Sequence, residues 1–99
     1  MKAKKVLYAL LKEIKEGNKV TAELLSVTDE EFATVVEYAK DKNYIKNALV
    51  LRGGQGNKVL TIAVDDANIT FEGKVFLDEN SILSKGYKGL KEIREWLPL

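Results

Sequence analysis

Neither cysteine nor histidine occurs in the 99 residues of this chain. The first absence excludes disulfides and thiolate metal sites. The second removes the commonest transition-metal ligand and the usual general base near neutral pH. A charge of one sign is also missing. Sixteen Lys and Arg stand against 15 Asp and Glu, a formal net charge of +1, so no bulk field draws the chain to nucleic acid or to an anionic membrane. No stretch reaches the roughly 18 consecutive apolar residues of a membrane span. Residues 5–14 are broken by Lys12 and Glu13 and lack a small-residue cleavage site, so no signal peptide is expected. What remains is 45% hydrophobic and 31% charged, the composition of a globular domain. One domain spanning 1–99 is expected, located in the cytoplasm.

Apolar residues return with helical spacing in the first third. Leu7, Leu10, Leu11 and Ile14 fall at i, i+3, i+4 and i+7, which predicts a helix over 3–16. Gly17-Asn18 ends it in the left-handed way. Val20 is expected in a short extended pair, and Thr21 as the cap of a short second helix over 22–25 with Leu24 and Leu25 inward. Thr28-Asp29-Glu30-Glu31 has the form of a capping box. It opens a third helix to about Lys42 whose apolar face is Phe32, Val35, Val36 and Ala39, closed by Asn43.

The most informative stretch follows, from Asn43 to Val64. A strand-like run, 44–51, and a second, 59–64, flank Arg52-Gly53-Gly54-Gln55-Gly56-Asn57-Lys58. Glycines and an asparagine between two β-branched runs predict a hairpin. Asp65 to Asn68 reads as a polar turn. Thr70 is expected to cap a helix to about Asp78, with Phe71, Val75 and Phe76 or Leu77 inward. Ser81 caps a last helix expected to reach Leu97, where Pro98 stops it.

On a helical wheel, Ile82, Gly86, Gly89, Ile93 and Trp96 form one stripe of that last segment. Leu83, Tyr87, Leu90 and Leu97 form a second beside it. The apolar arc spans roughly half the circumference, where a core-facing helix needs about 100°. One alternative is a helix lying in a groove of its own domain, covered on two sides. The other packs one stripe at home and sets Ile82, Gly86, Gly89, Ile93 and Trp96 against a twofold-related copy in a homodimer.

Three helices followed by a glycine-turned hairpin and two C-terminal helices make an α+β winged helix-turn-helix. The chain resembles such domains in general and the YjcQ-like family more narrowly, small proteins of Gram-positive bacteria and their phages. The residues carrying the resemblance are Leu10-Leu11-Lys12-Glu13-Ile14 with Gly17-Asn18, Val27-Thr28, Asn43-Tyr44-Ile45, and the segment 84–97 (SKGYKGLKEIREWL). It implies a winged-helix fold and supplies no catalytic residue to carry over.

The third helix would be the recognition helix. From Asp29 to Lys42 it carries five carboxylates against two lysines, a net −3. Each carboxylate near a phosphate is repelled by about 1 kcal/mol at 4 Å even in bulk water, which argues against the standard docking. Dipole and capping roles explain these acids without DNA. The hairpin is the better nucleic-acid element: Arg52 and Lys58 flank a tip bearing Gln55 and Asn57, joined by the N-terminal lysines, Lys4 and Lys5 above all. The glycine turn joins two strands and is not a phosphate-binding loop. Asp65-Asp66 makes a poor cation site, because adjacent side chains diverge. No serine has a histidine to activate it. The expectation is therefore a non-enzymatic binding module with no cofactor and no metal. Its partner is duplex DNA, through a regulatory role, or alternatively a protein, with no membrane involved.

Overall fold

The computed structural model describes residues 3–86. Its elements are α1 (Ala3–Lys15), α2 (Asp29–Asp41), β1 (Ile45–Lys46), β2 (Leu49–Gly53), β3 (Lys58–Ala63), β4 (Asn68–Ile69), α3 (Phe71–Glu79) and a 3-10 helix, Ser81–Gly86. It is an α+β arrangement of helices with two small antiparallel sheets, β1–β4 and β2–β3. None of the helices among the described residues is long and apolar enough to cross a membrane.

α1 is the centre of the molecule. The expected face of Leu7, Leu10, Leu11 and Ile14 is buried, and so are Val6, Tyr8, Ala9 and Glu13. The helix is covered on more than the one side that its apolar spacing shows, because α2, α3 and β4 all pack on it. Its end is a Schellman closure: Gly17, at φ 78°, and Asn18 donate their amides to the carbonyls of Ile14 and Glu13.

The short second helix expected over 22–25 is a single turn. Leu25 N bonds Thr21 O at 3.2 Å, and the Thr21 hydroxyl accepts from Leu24 N, as a cap would. Ser26 then enters the left-handed region at φ 58°, and the amides of Ser26 and Val27 return to Glu23 and Ala22. The closing motif arrives before a second turn can form. Ala22 and Leu25 still reach the core, while Leu24 is half-buried.

α2 starts as expected. Glu31 N donates to the Thr28 hydroxyl at 3.1 Å, and Thr28 N donates to the Glu31 carboxylate at 2.8 Å. Phe32, Val35, Val36 and Ala39 are buried. Asn43, at φ 61°, closes the helix.

The run 44–51 is not one strand. Asn47 adopts φ 63° and divides it into β1 and β2. Asparagine tolerates the left-handed conformation through its short polar side chain. β1 pairs not with the hairpin but with β4, Ile45 opposite Ile69. A second union reinforces that pairing. Thr70 N donates to Tyr44 O at 2.9 Å, and the Thr70 hydroxyl donates to Asn43 O while capping α3 by accepting from Gly73 N. One buried threonine thus joins the end of α2 to the start of α3.

α3 turns the expected face towards the core except for Phe71. Gly73 and Leu77 are buried, Val75 and Phe76 are half-buried, and Phe71 is 76% exposed. Gly73 faces inward because α3 approaches the backbone of Tyr44 there. A Cβ on Gly73 would sit 2.4 Å from Tyr44 O and 2.6 Å from Ile69 Cγ1. The segment beyond Asn80 begins as a 3-10 helix where an α-helix is expected. The expected continuation to Leu97 lies outside the described residues.

Gly73→Ala is expected to destabilise the fold by about 1–3 kcal/mol, the usual cost of overpacking, because backbone atoms cannot yield as a side chain does. Urea unfolding of the two chains measures it. A second expectation concerns Glu13, which is buried against Asn18, whose Nδ2 donates to the carboxylate at 2.7 Å. Burial pushes this carboxyl above its ordinary 4.5. The folded chain then holds the proton to higher pH than the unfolded chain, so this group's contribution declines as pH rises from the ordinary value through the folded one. Glu13→Gln should flatten the pH dependence of stability in that window, read from thermal unfolding.

Candidate interaction surface

The hairpin places the candidate residues. Leu49 pairs with Ala63, Val50 with Ile62 and Leu51 with Thr61, after which the register shifts so that Arg52 meets Val59. The shift is a bulge on β3 at Leu60. Strict alternation cannot turn both Val59 and Ile62 to the same side, three positions apart. The extra residue allows it, and both are half-buried towards the body with Val50. Leu49, Leu51 and Leu60 are consequently left 44%, 47% and 66% exposed on the hairpin. Leu60 leans over Gly53, where an added Cβ would lie 3.0 Å from its Cδ1. The tip turns through Gly54, Gly56 and Asn57, all at positive φ.

Arg52 does not reach out from the hairpin. Its Nε and Nη2 donate to the two carboxylate oxygens of Glu37, both at 2.9 Å. Its Nη1 donates to Glu30 Oε1 at 2.9 Å and to Asn57 O at 3.2 Å. The second oxygen of Glu30 accepts from Val59 N at 3.1 Å. Glu30 and Glu37 lie two turns apart on one side of α2, and the guanidinium lies between them. The paired hydrogen bonds to Glu37 give the fork a fixed orientation that a lysine would lack. Hydrogen bonds from Arg52 hold the carboxyls of Glu30 and Glu37 below their ordinary values, and the same carboxylates raise the guanidinium further.

The other expected nucleic-acid residues are not gathered around this arginine. Gln55 and Lys58 are exposed in the tip loop and at the start of β3, and Asn57 is exposed with its carbonyl accepting from Arg52. Lys4 and Lys5 belong to α1, Lys4 exposed and Lys5 half-buried. Of the five residues expected at a twofold contact, Ile82 has a described side chain and is 69% exposed. Gly86 closes the 3-10 helix, and Gly89, Ile93 and Trp96 lie outside the described residues. Sequence reasoning missed Glu37 as a partner of Arg52 and assigned Glu30 to the helix dipole. The available signal was their spacing of seven residues, which puts them in line on one helix face.

Two concavities border these elements. One, of about 310 Å³, separates β3 from the segment 19–22, with Val20, Phe32, Val59 and Ile62 among its lining. Among the described residues no strand pairs with the outer edge of β3. The other, of about 810 Å³, runs between α1 and α2 and is closed at one side by Phe76. Tyr44 supports that side, with its ring 5.2 Å from Phe76 and 6.5 Å from Tyr38.

Removing the arginine should release the hairpin. Arg52→Met is expected to speed amide exchange across 49–63 while leaving α1 protected. The carboxylates Glu30 and Glu37 titrate below their ordinary values, so their contribution is full above about 4.5 and is lost as pH falls through the folded values. Acidification of the wild type should therefore reproduce the hairpin exchange of Arg52→Met, and have little further effect on the variant.

A family model described as YjcQ protein matches residues 4–96. The chain is 34% identical over 98 residues to the "Uncharacterized protein YjcQ" of Bacillus subtilis (strain 168), a match covering 98% of this chain and 99% of that relative. No solved structure matches it significantly.

Proposed function

The chain belongs to the YjcQ family, and from that premise we propose that it is a non-enzymatic winged-helix module that binds a protein. Several features support the winged-helix reading. α1, the turn at 22–25 and α2 precede a glycine-turned hairpin, and the segment 19–22 lies beside β3 where such folds place a third strand. The observation that carries the protein-binding reading is the direction of the hairpin's side chains. The guanidinium points inward to Glu30 and Glu37, and Leu49, Leu51 and Leu60 point out. A hairpin that tracks phosphates presents cations. This one presents leucines, and its arginine is already neutralised. The helix beside it keeps Asp29, Glu31 and Asp41 exposed, which repel phosphate and suit a basic rim on a protein partner.

The second reading is DNA-associated regulation. It draws on the tip, where Gln55 and Lys58 are exposed. A homodimer through Ile82, Gly86, Gly89, Ile93 and Trp96 is compatible with both readings, and the exposure of Ile82 supports it.

Titration of mixed-sequence duplex DNA at low and moderate salt separates the two readings. No saturable binding is expected even at low salt. Binding whose log–log salt slope approaches −0.9 per phosphate contact would replace the protein-binding reading with the regulatory one.

A further inference from the structure

The outer face of the hairpin has an uneven relief. Leu49 pairs with Ala63 and Leu51 with Thr61, and directly opposed residues of an antiparallel pair project from the same face. All four are exposed. β2 therefore carries a ridge of two leucines, and β3 a trough of alanine and threonine beside it. Leu60 leans over Gly53 and ends the trough towards the tip. We propose that this face binds the same face of a second copy of the chain. The proposal rests on the reading that the hairpin's leucines bind protein, and it names that protein.

The paired register explains why a copy fits. Sheets that pack face to face lie about 10 Å apart with their strands nearly aligned. A twofold axis between two such hairpins, parallel to the strands, keeps each level of the ladder and exchanges left for right. It sets β2 of one copy over β3 of the other. Leu49 of each copy then faces Ala63 of the other, and Leu51 faces Thr61. Both leucines of the ridge meet a small side chain, the alternation of large and small that packs a core. An axis across the strands would set ridge on ridge instead.

Placement, charge and size agree with that occupant. Val50 and Ile62 turn to the core, and Arg52 reaches α2, so α2 lies behind the face and away from an approaching copy. A partner that recognises charge finds almost none here. The face has one ionisable residue, Lys58, opposite Gly53 at the tip, where a long side chain keeps its ammonium in water. Five paired positions at about 3.4 Å each make a face about 17 Å long and two strands wide. That is well below the roughly 800 Å² that each partner gives to a standard interface. Such a face is too small for a permanent complex and suits a weak, reversible one.

The chain has no cysteine, so an introduced disulfide reports the contact. Isotope-labelled Leu51→Cys chain is mixed in equal amount with unlabelled Thr61→Cys chain and mildly oxidised. Both positions are exposed, so neither change opens the core. Random collision would make half of the cross-linked dimers mixed. The mixed dimer, told apart by mass, should instead exceed the two like dimers severalfold. Adding Leu49→Lys to both chains should slow the mixed cross-link by about tenfold, the scale of one lost leucine contact.

Sedimentation of the cysteine-free chain between about 10 µM and 1 mM, the range of a small interface, is the second measure. The mean mass should rise towards that of a dimer, and Leu49→Lys should stay a monomer over the same range. A wild type that is monomeric throughout, a dimer that Leu49→Lys leaves intact, or cross-links in random proportion would overturn the proposal. Each of those results leaves the protein-binding reading standing, with an unlike protein as the partner. Saturable binding of duplex DNA is what removes that reading, so the two fail separately.

Discussion

The Arg52 fork is the constraint on which the placement of the hairpin depends. A two-stranded hairpin alone is marginal in water, and this one turns only Val50, Val59 and Ile62 towards the body, each of them half-buried. Apolar contact of that extent fixes neither angle nor register. Arg52 supplies both, because two of its nitrogens meet Glu37 and a third meets Glu30. Glu30 adds a bond to the amide of Val59, so each strand of the hairpin is tied to α2. The arrangement also decides which chemistry is presented outward. With the cation turned in, Leu49, Leu51 and Leu60 are what the hairpin exposes.

The body of the molecule rests on different physics. α1 is enclosed by its neighbours and supplies more of the core than any other element. Around it, chain reversals are closed by the same device at Gly17, Ser26 and Asn43, each left-handed and each followed by amides that return to the preceding turn. Thr70 then locks two reversals together by reaching Asn43 and Tyr44. Gly73 is bare because that lock brings backbone against backbone.

Features held by local hydrogen bonds were legible in the sequence. The capping box of Thr28 and Glu31, the cap at Thr70, the left-handed Gly17 and Asn43 and the glycine turn at 54–57 each involve residues a few positions apart, and residue type alone marks them. What was not legible depends on partners distant in the chain. Nothing near Asn47 announces that β1 will pair with β4 rather than extend the hairpin. Phe71 reads as a core residue by type, but the Thr70 lock and the close approach at Gly73 rotate α3 so that it faces outward. Arg52 reads as a free cation because Glu37 lies 15 residues away in sequence. The turn at 22–25 has helix-forming residues and a cap, and fails to become a helix because Ser26 reverses one turn in.

Asn47 has a broader consequence for how the molecule comes apart. Its left-handed backbone separates β1, which is welded to β4 and through Thr70 to α3, from β2, which belongs to the arm. The arm returns to the body through the turn after Val64, closed by Ala67 N on Val64 O. Both tethers therefore sit at one base, where Ala48 and Val64 enter the core, and beyond it Val50 and Ile62 pack against the core from the arm. An arm held mainly at its base and by one arginine is the kind of element that opens below the cost of global unfolding. Its opening equilibrium would be set by ionic strength and acidity, whereas global unfolding answers chiefly to apolar burial.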